Sequence, residues 1–314
     1  MEIKQRPEDF VVEELIELDK IPGKYLYLKV KKRNLNTLDV VKIFCSKLKI
    51  PRKDISYAGA KDKVAVTTQY FSVFRGNPEE CKKINNGNLE VTPLHFGSRP
   101  ISLGALEGNR FRIKVYLPLQ NLNFTVNYFG EQRFSENNLV IGKAILQKDF
   151  KKACSLIKEF QVKSHLEKSK NDYIGALQKL DKKLLSLFVH AYQSYVWNEL
   201  VKAYLKEKYK DAYEFGNLVF VKEKKEALQI PLIAFDTIFM NKDVERIANE
   251  ILKKEGISLR DFVLRSFPEA MPISLLRDVF IEVKDVKREK GCIEFTLPKG
   301  AYATVFLKHL ESFL

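Results

Sequence analysis

Hydrophobic periodicity changes twice along this chain, from a repeat of two residues to a helical repeat and back again, and that order restricts the folds open to it. Near the N-terminus, Lys24-Tyr-Leu-Tyr-Leu-Lys-Val30 alternates, with Leu26, Leu28 and Val30 on one face. Arg110-Phe-Arg-Ile-Lys-Val-Tyr-Leu117 sets Phe111, Ile113, Val115 and Leu117 against three cations, and 69–74 reads as a further strand. Between these runs a helix is expected, capped by Asn36 or Thr37, with Val41, Phe44, Cys45 and Leu48 inside and Pro51 after its end. From about residue 124 the spacing becomes helical. Leu139, Ile145, Leu146, Phe150, Ala153, Ile157 and Phe160 fit it, with a break near Gly142. The strongest helix is 181–201, whose wide stripe (Leu184, Leu185, Phe188, Ala191, Tyr192, Tyr195, Val196) suits core packing better than a nucleobase platform. A further helix over 243–256 takes Asp243 as N-cap and Gly256 as its stop. After residue 272 strand character returns, with 278–283 and 292–297 as a hairpin around Lys287-Arg-Glu-Lys-Gly291.

Strands, then helices, then strands predict an α/β domain whose sheet the C-terminal segment completes, with a helical domain inserted. The boundaries fall at 1–123, 124–271 and 272–314. A length of 314 residues also favours two domains over one core.

Lys+Arg number 54 against 40 Asp+Glu, a formal charge of +14, which calls for a polyanionic partner. Membrane is the weaker candidate. No apolar run approaches the roughly 20 residues of a spanning helix, and 228–240 is interrupted by Pro231 and Asp236. RNA or DNA is the expected partner. The N-terminus carries no secretory apolar run, and Cys45, Cys81, Cys154 and Cys292 lie far apart without a CxxC pair, which predicts reduced thiols in a cytoplasmic protein and no zinc site. His95, His165, His190 and His309 are equally scattered, so no metal is expected. GxxxxGK[ST] and GxGxxG are absent, giving a nucleotide cofactor no visible seat, and GxSxG and HExxH are absent too.

What remains is one acid in a tight turn. Tyr57-Ala-Gly-Ala-Lys-Asp-Lys-Val-Ala-Val-Thr-Thr-Gln69 sets Asp62 between Lys61 and Lys63. Taken alone it reads either as a solvated loop charge or as a carboxylate that its neighbours hold ionised, as a nucleophile or general base must be.

Five segments together resemble the TruD family of tRNA pseudouridine synthases. They are Lys4-Gln-Arg-Pro-Glu-Asp-Phe-Val-Val-Glu-Glu14; the Tyr57–Gln69 run above; Gly108-Asn-Arg-Phe111; Asn127-Tyr-Phe-Gly-Glu-Gln-Arg-Phe134; and Leu297-Pro-Lys-Gly-Ala-Tyr-Ala-Thr304. The resemblance implies a split α/β (α+β) pseudouridine synthase-like catalytic domain with a mixed, largely antiparallel sheet, plus a mostly helical inserted TRUD domain. It implies that Asp62 attacks the target uridine at C1′ or C6, that Lys4 keeps Asp62 ionised, and that no cofactor is used. Phe10, Asn109, Phe111 and Tyr302 match positions that touch the substrate base. Gln69, at the end of its motif, joins the substrate-binding set, and Lys61 and Lys63 become candidates for the neighbouring phosphates. The implied partner is tRNA, bound by a monomer that modifies uridine 13 of the D arm. A non-catalytic tRNA-binding or RNA-folding factor on the same scaffold is the alternative. Two departures stand out: Ser135 replaces the family's usual glycine, and the stretch from Phe111 to Asn127 is short, which bears on the geometry between domains.

Overall fold

The computed structural model describes residues 6–61, 63–115, 122–134, 137–289 and 291–314. Lys4, Asp62, Leu117 and Ser135 therefore lie outside the described residues. The chain divides into two compact units, Met1–Phe124 with Glu282–Ala303 and Phe313–Leu314, and Thr125–Ile281 with Thr304–Ser312. The fold is mixed α/β.

The first unit is built on β1 (Phe10–Leu15), β2 (Tyr25–Arg33), β3 (Ile55–Tyr57), β4 (Val66–Phe74), β5 (Leu89–Gly97) and β6 (Gly108–Lys114), joined by the C-terminal strands Lys284–Glu289 and Cys292–Pro298. These eight form one sheet. Its order runs Lys284–Glu289, Cys292–Pro298, β6, β1, β4, β2, β5, with β3 beside β4. Only β1 and β4 are parallel; every other pairing in the sheet is antiparallel. Leu26, Leu28 and Val30 are buried under helix α1 (Thr37–Leu48), as the alternation predicts. Asn36 caps α1, its side chain accepting from Asp39 N at 2.8 Å while Asp39 returns the bond to Asn36 N. Val40 joins Val41 and Phe44 in the buried stripe, and a short helix, α2 (Pro78–Lys82), follows β4. Phe111 and Ile113 of β6 and Val115 just after it are buried, and the opposite cations each meet an acid: Arg110 with Glu13 at 3.6 Å, Arg112 with Glu294 at 3.1 Å, Lys114 with Asp9 at 4.0 Å. Such exposed pairs contribute little stability.

The C-terminal hairpin is a correction. Its first arm is Lys284–Glu289, whereas 278–283 divides between the short strands Leu276–Asp278 and Phe280–Glu282. The first of these pairs with Gln229–Pro231, a partner distant in sequence.

The second unit is mostly helical, with α3 (Asn138–Leu146), α4 (Phe150–Leu156), α5 (Phe160–Lys168), α6 (Tyr173–Gln178), α7 (Lys182–Lys208) and α8 (Lys242–Glu255). No break occurs at Gly142. The chain turns instead at Lys148, whose φ of 63° ends α3 before Asp149 caps α4. Gly142 is a packing position, since a Cβ there would overlap the Phe188 carbonyl oxygen of α7. The N-cap of α8 is Asn241 rather than Asp243; its side chain accepts from the amides of Asp243 and Val244. Gly256 ends α8 with a left-handed φ of 65°. The aromatic stripe of α7 is core, with Tyr192 and Trp197 buried and Trp197 Nε1 donating to Ile230 O at 3.1 Å. No disulfide joins the four cysteines, and burial pushes the thiols of Cys81 and Cys154 up to about 11. Among the described residues no helix is long and apolar enough to cross a membrane.

One buried group in this unit has a pH signature. His309 is fully buried, its ring stacked on Phe220 at 4.3 Å and its Nδ1 3.1 Å from Thr125 Oγ1. Burial lowers its pKa to about 4. Above about pH 6.5 the imidazole is neutral in both folded and unfolded chains and contributes no pH dependence. As pH falls below that value the unfolded chain takes up the proton first. Stability is therefore lost down to the folded pKa near 4 and then levels off. The loss amounts to about 3 kcal/mol. Urea midpoints recorded between pH 7 and pH 4 should show the decline, and His309→Phe should flatten it.

Candidate active site

Strand alternation brings the polar residues of the first unit into one row. On β1, Phe10, Val12 and Glu14 share a face, and Glu14 stands opposite Asn109 of β6, which in turn stands opposite Leu297. Gly108 allows this close approach, because a Cβ there would overlap the Leu297 carbonyl oxygen. On the other side, Glu13 pairs with Thr68 of β4 in parallel register, which carries the row on to Gln69. Above Asn109 lies an aromatic cluster. Phe111 stacks on Phe295 at 5.3 Å and meets Phe10 edge-on at 6.1 Å.

Glu14 occupies a buried position in the apolar phase of β1, at 1% exposure. Its Oε1 accepts from Lys61 Nζ at 2.8 Å and its Oε2 from Tyr70 N at 3.0 Å. The Lys61 side chain is itself only 9% exposed. Two charges removed from water in this way cost more in desolvation than an exposed pair does, and each becomes a liability if the other is removed.

The loop after β3 is tied to the same region. Thr37, the first residue of α1, accepts through Oγ1 from Lys61 N at 2.9 Å and donates to Gln69 Oε1 at 3.0 Å. Gln69 Nε2 donates to Gly59 O at 2.5 Å. Both ends of the Gln69 amide are thus used inside the protein, and the residue is fully buried. Beyond position 62, Lys63 is exposed, while Ala65 is buried and accepts through its carbonyl from Asn34 N at 3.4 Å.

Of the residues singled out from sequence, Phe10, Asn109 and Phe111 share one sheet face, and Lys61 and Gln69 reach it through Glu14 and Thr37. Tyr302 is half-buried, shortly after Pro298, which pairs with Gly108. Lys4 and Asp62 lie outside the described residues. The Oδ1 of Asn109 is buried with no hydrogen-bond partner among the described residues. A polar atom in that position is costly unless something else satisfies it. Sequence reasoning missed Glu14, Thr37 and the buried Lys32 as polar members of this face. The signal was available for two of them: Glu14 continues the Phe10, Val12 alternation, and Lys32 continues Leu28, Val30.

Three comparisons bear on the site. The family model described as TruD, tRNA pseudouridine synthase D, matches residues 1–159, 154–229 and 216–310. The probable tRNA pseudouridine synthase D 2 of Methanocaldococcus jannaschii is 32% identical, with 98% of this chain and 91% of the relative covered. The tRNA pseudouridine synthase D of Aquifex aeolicus is 30% identical, with 98% and 97% covered. Among solved structures, the crystal structure of the putative tRNA pseudouridine synthase D of Methanosarcina mazei superposes with a TM-score of 0.70 at 27% identity, covering 98% of this chain and 93% of that one.

Proposed function

Because the chain belongs to the tRNA pseudouridine synthase D (TruD) family, we propose that it converts a uridine of tRNA, uridine 13 of the D arm, to pseudouridine with Asp62 as nucleophile. The enzyme class is that of the family, an isomerase. The observation that carries the reading is the family match along nearly the whole chain, which includes the Asp62 loop and the strands around it.

In this reading the Asp62 carboxylate attacks C1′ or C6 of the uridine and the N-glycosidic bond breaks. The uracil rotates, C5 bonds to C1′, the bond to the Asp62 carboxylate breaks, and the C5 proton leaves to solvent while N1 takes one up. Lys4 favours the ionised carboxylate by proximity of opposite charge. The buried Oδ1 of Asn109, unpaired among the described residues, is an acceptor suited to the N3–H of a uracil edge. Tyr302 supplies a ring to a base face, where stacking contributes roughly 1–3 kcal/mol. Phe10 and Phe111 are nearly buried and pack on each other, so they bear on the base through the small ring area they leave open. Lys63 is exposed and free in reach to meet a phosphate, whereas Lys61 could do so only if its pair with Glu14 opened. The first unit would carry the chemistry, and the second would correspond to the family's inserted TRUD domain.

Loss of the C5 hydrogen gives a direct readout. Transfer RNA labelled with [5-³H]uridine should release tritium from one position when the protein is added, and pseudouridine mapping should place it at uridine 13. No release would overturn the catalytic reading; release from another position would overturn the assignment of uridine 13. A formal charge of +14 also predicts steep salt dependence of tRNA binding. If six or more phosphates are contacted, affinity should fall about 10³-fold between 50 and 200 mM salt. A flat curve in a filter-binding titration would remove the electrostatic part of the reading.

A further inference from the structure

We propose that Thr37 and Gln69 are positioning residues: with the Glu14–Lys61 pair they hold Gly59 to Lys61 at fixed points, so that the chain enters position 62 in one orientation. The proposal rests on the reading of Asp62 as nucleophile, and it moves Gln69 and Lys61 from substrate contacts to internal supports.

Three features carry it. The first is convergence. Gly59 O is held by Gln69 Nε2, Lys61 N by Thr37 Oγ1, and Lys61 Nζ by Glu14. All three anchors fall in the residues that lead into position 62. Each comes from a different element, β4, α1 and β1, and Thr37 joins the first two anchors by donating to Gln69 Oε1. The second is burial. Thr37, Gln69 and Glu14 are each at most 1% exposed, and a buried ion pair is a poor route to stability compared with apolar packing. Such groups more readily explain a defined geometry than a gain in folding energy. The third is location. The segment is a connection between β3 and β4, and connections of this kind are ordinarily mobile. A nucleophile misplaced by about 1 Å can cost about 10²-fold in rate, so a loop that carries one needs supports of this kind.

Thr37→Val removes the hydroxyl with little change of shape, and Gln69→Glu replaces the donor facing Gly59 O with a second acceptor. Both variants should lower the single-turnover rate of tritium release at least tenfold. The Kd for tRNA should stay within twofold of wild type, and amide exchange at Lys61 should accelerate. Thr37→Ser, which keeps the hydroxyl, should restore the rate. A wild-type rate in Thr37→Val would overturn the proposal. An equal loss in Thr37→Ser, or a rate loss matched by weaker tRNA binding, would do so as well. Asp62→Asn, run in parallel, separates the two levels. If it is inactive while Thr37→Val is unimpaired, only the positioning role fails. If it retains activity, the reading of Asp62 fails and the positioning role falls with it.

Discussion

Asp62→Asn should lower the single-turnover rate of tritium release by about 10⁴-fold or more while tRNA still binds. The amide has nearly the shape of the carboxylate but lacks the charge and the nucleophilic oxygen, so folding should be preserved and chemistry lost. Removal of one negative charge from a chain with formal charge +14 leaves or slightly strengthens attraction to a polyanion. The expected pattern is therefore specific: wild-type or tighter Kd in a filter-binding titration, wild-type urea midpoint, and no measurable turnover. A rate within tenfold of wild type would mean that another group attacks the sugar or the base.

The largest effect on stability is expected at Glu14. In Glu14→Ala, Lys61 Nζ loses the only carboxylate within 4.0 Å among the described residues while its side chain remains only 9% exposed. Tyr70 N loses its acceptor at the same time. A buried charge left without its partner costs about 3–5 kcal/mol, a large part of the stability of an ordinary domain. The double variant Glu14→Ala/Lys61→Met removes the stranded charge along with its partner. Its urea midpoint should recover much of the loss, because the penalty lies in the unpaired ammonium rather than in the missing pair. A single variant destabilised by less than about 1 kcal/mol would show that Lys61 swings out to water, and that the pair does not hold the loop.

Local signals were legible wherever the deciding contacts are local. The Leu26, Leu28, Val30 alternation and the start of α1 at Asn36 or Thr37 each depend on neighbours within a few residues; the alternation read correctly, and of the two cap candidates the structure takes Asn36. The misplaced hairpin arm shows the opposite case. Of the 278–283 run, Asp278 ends a strand paired with distant Gln229–Pro231 and Phe280–Glu282 is a separate short strand, so long-range pairing leaves 284–289 to join the Cys292–Pro298 strand. Asn241 and Asp243 are both good cap formers two residues apart, so the choice between them falls to tertiary fit. Gly142 read as a helix break because its use, close contact with the α7 backbone, is invisible in one dimension. Within the site, the motif residues Phe10, Asn109 and Phe111 fall on one sheet face, a placement that strand register decides. The sequence did not reveal that Gln69 and Lys61 each pair with partners inside the protein, since Thr37 and Glu14 come from separate elements.

The pairing of β6 with Cys292–Pro298 has a consequence for how the chain assembles. Lys114 and Cys292 stand opposite each other although the Thr125–Ile281 segment of the second unit lies between them in sequence. One neighbour of Asn109 is thus absent until the last part of the chain has been made. During synthesis, which proceeds from the N-terminus at about 5–20 residues per second, β6 waits as an open edge while the helices fold. The long-range closure raises the contact order of the first unit and should make it the slower of the two to form. Such an exposed strand edge invites mispairing with other chains, so expression trouble in weakened variants should originate at β6.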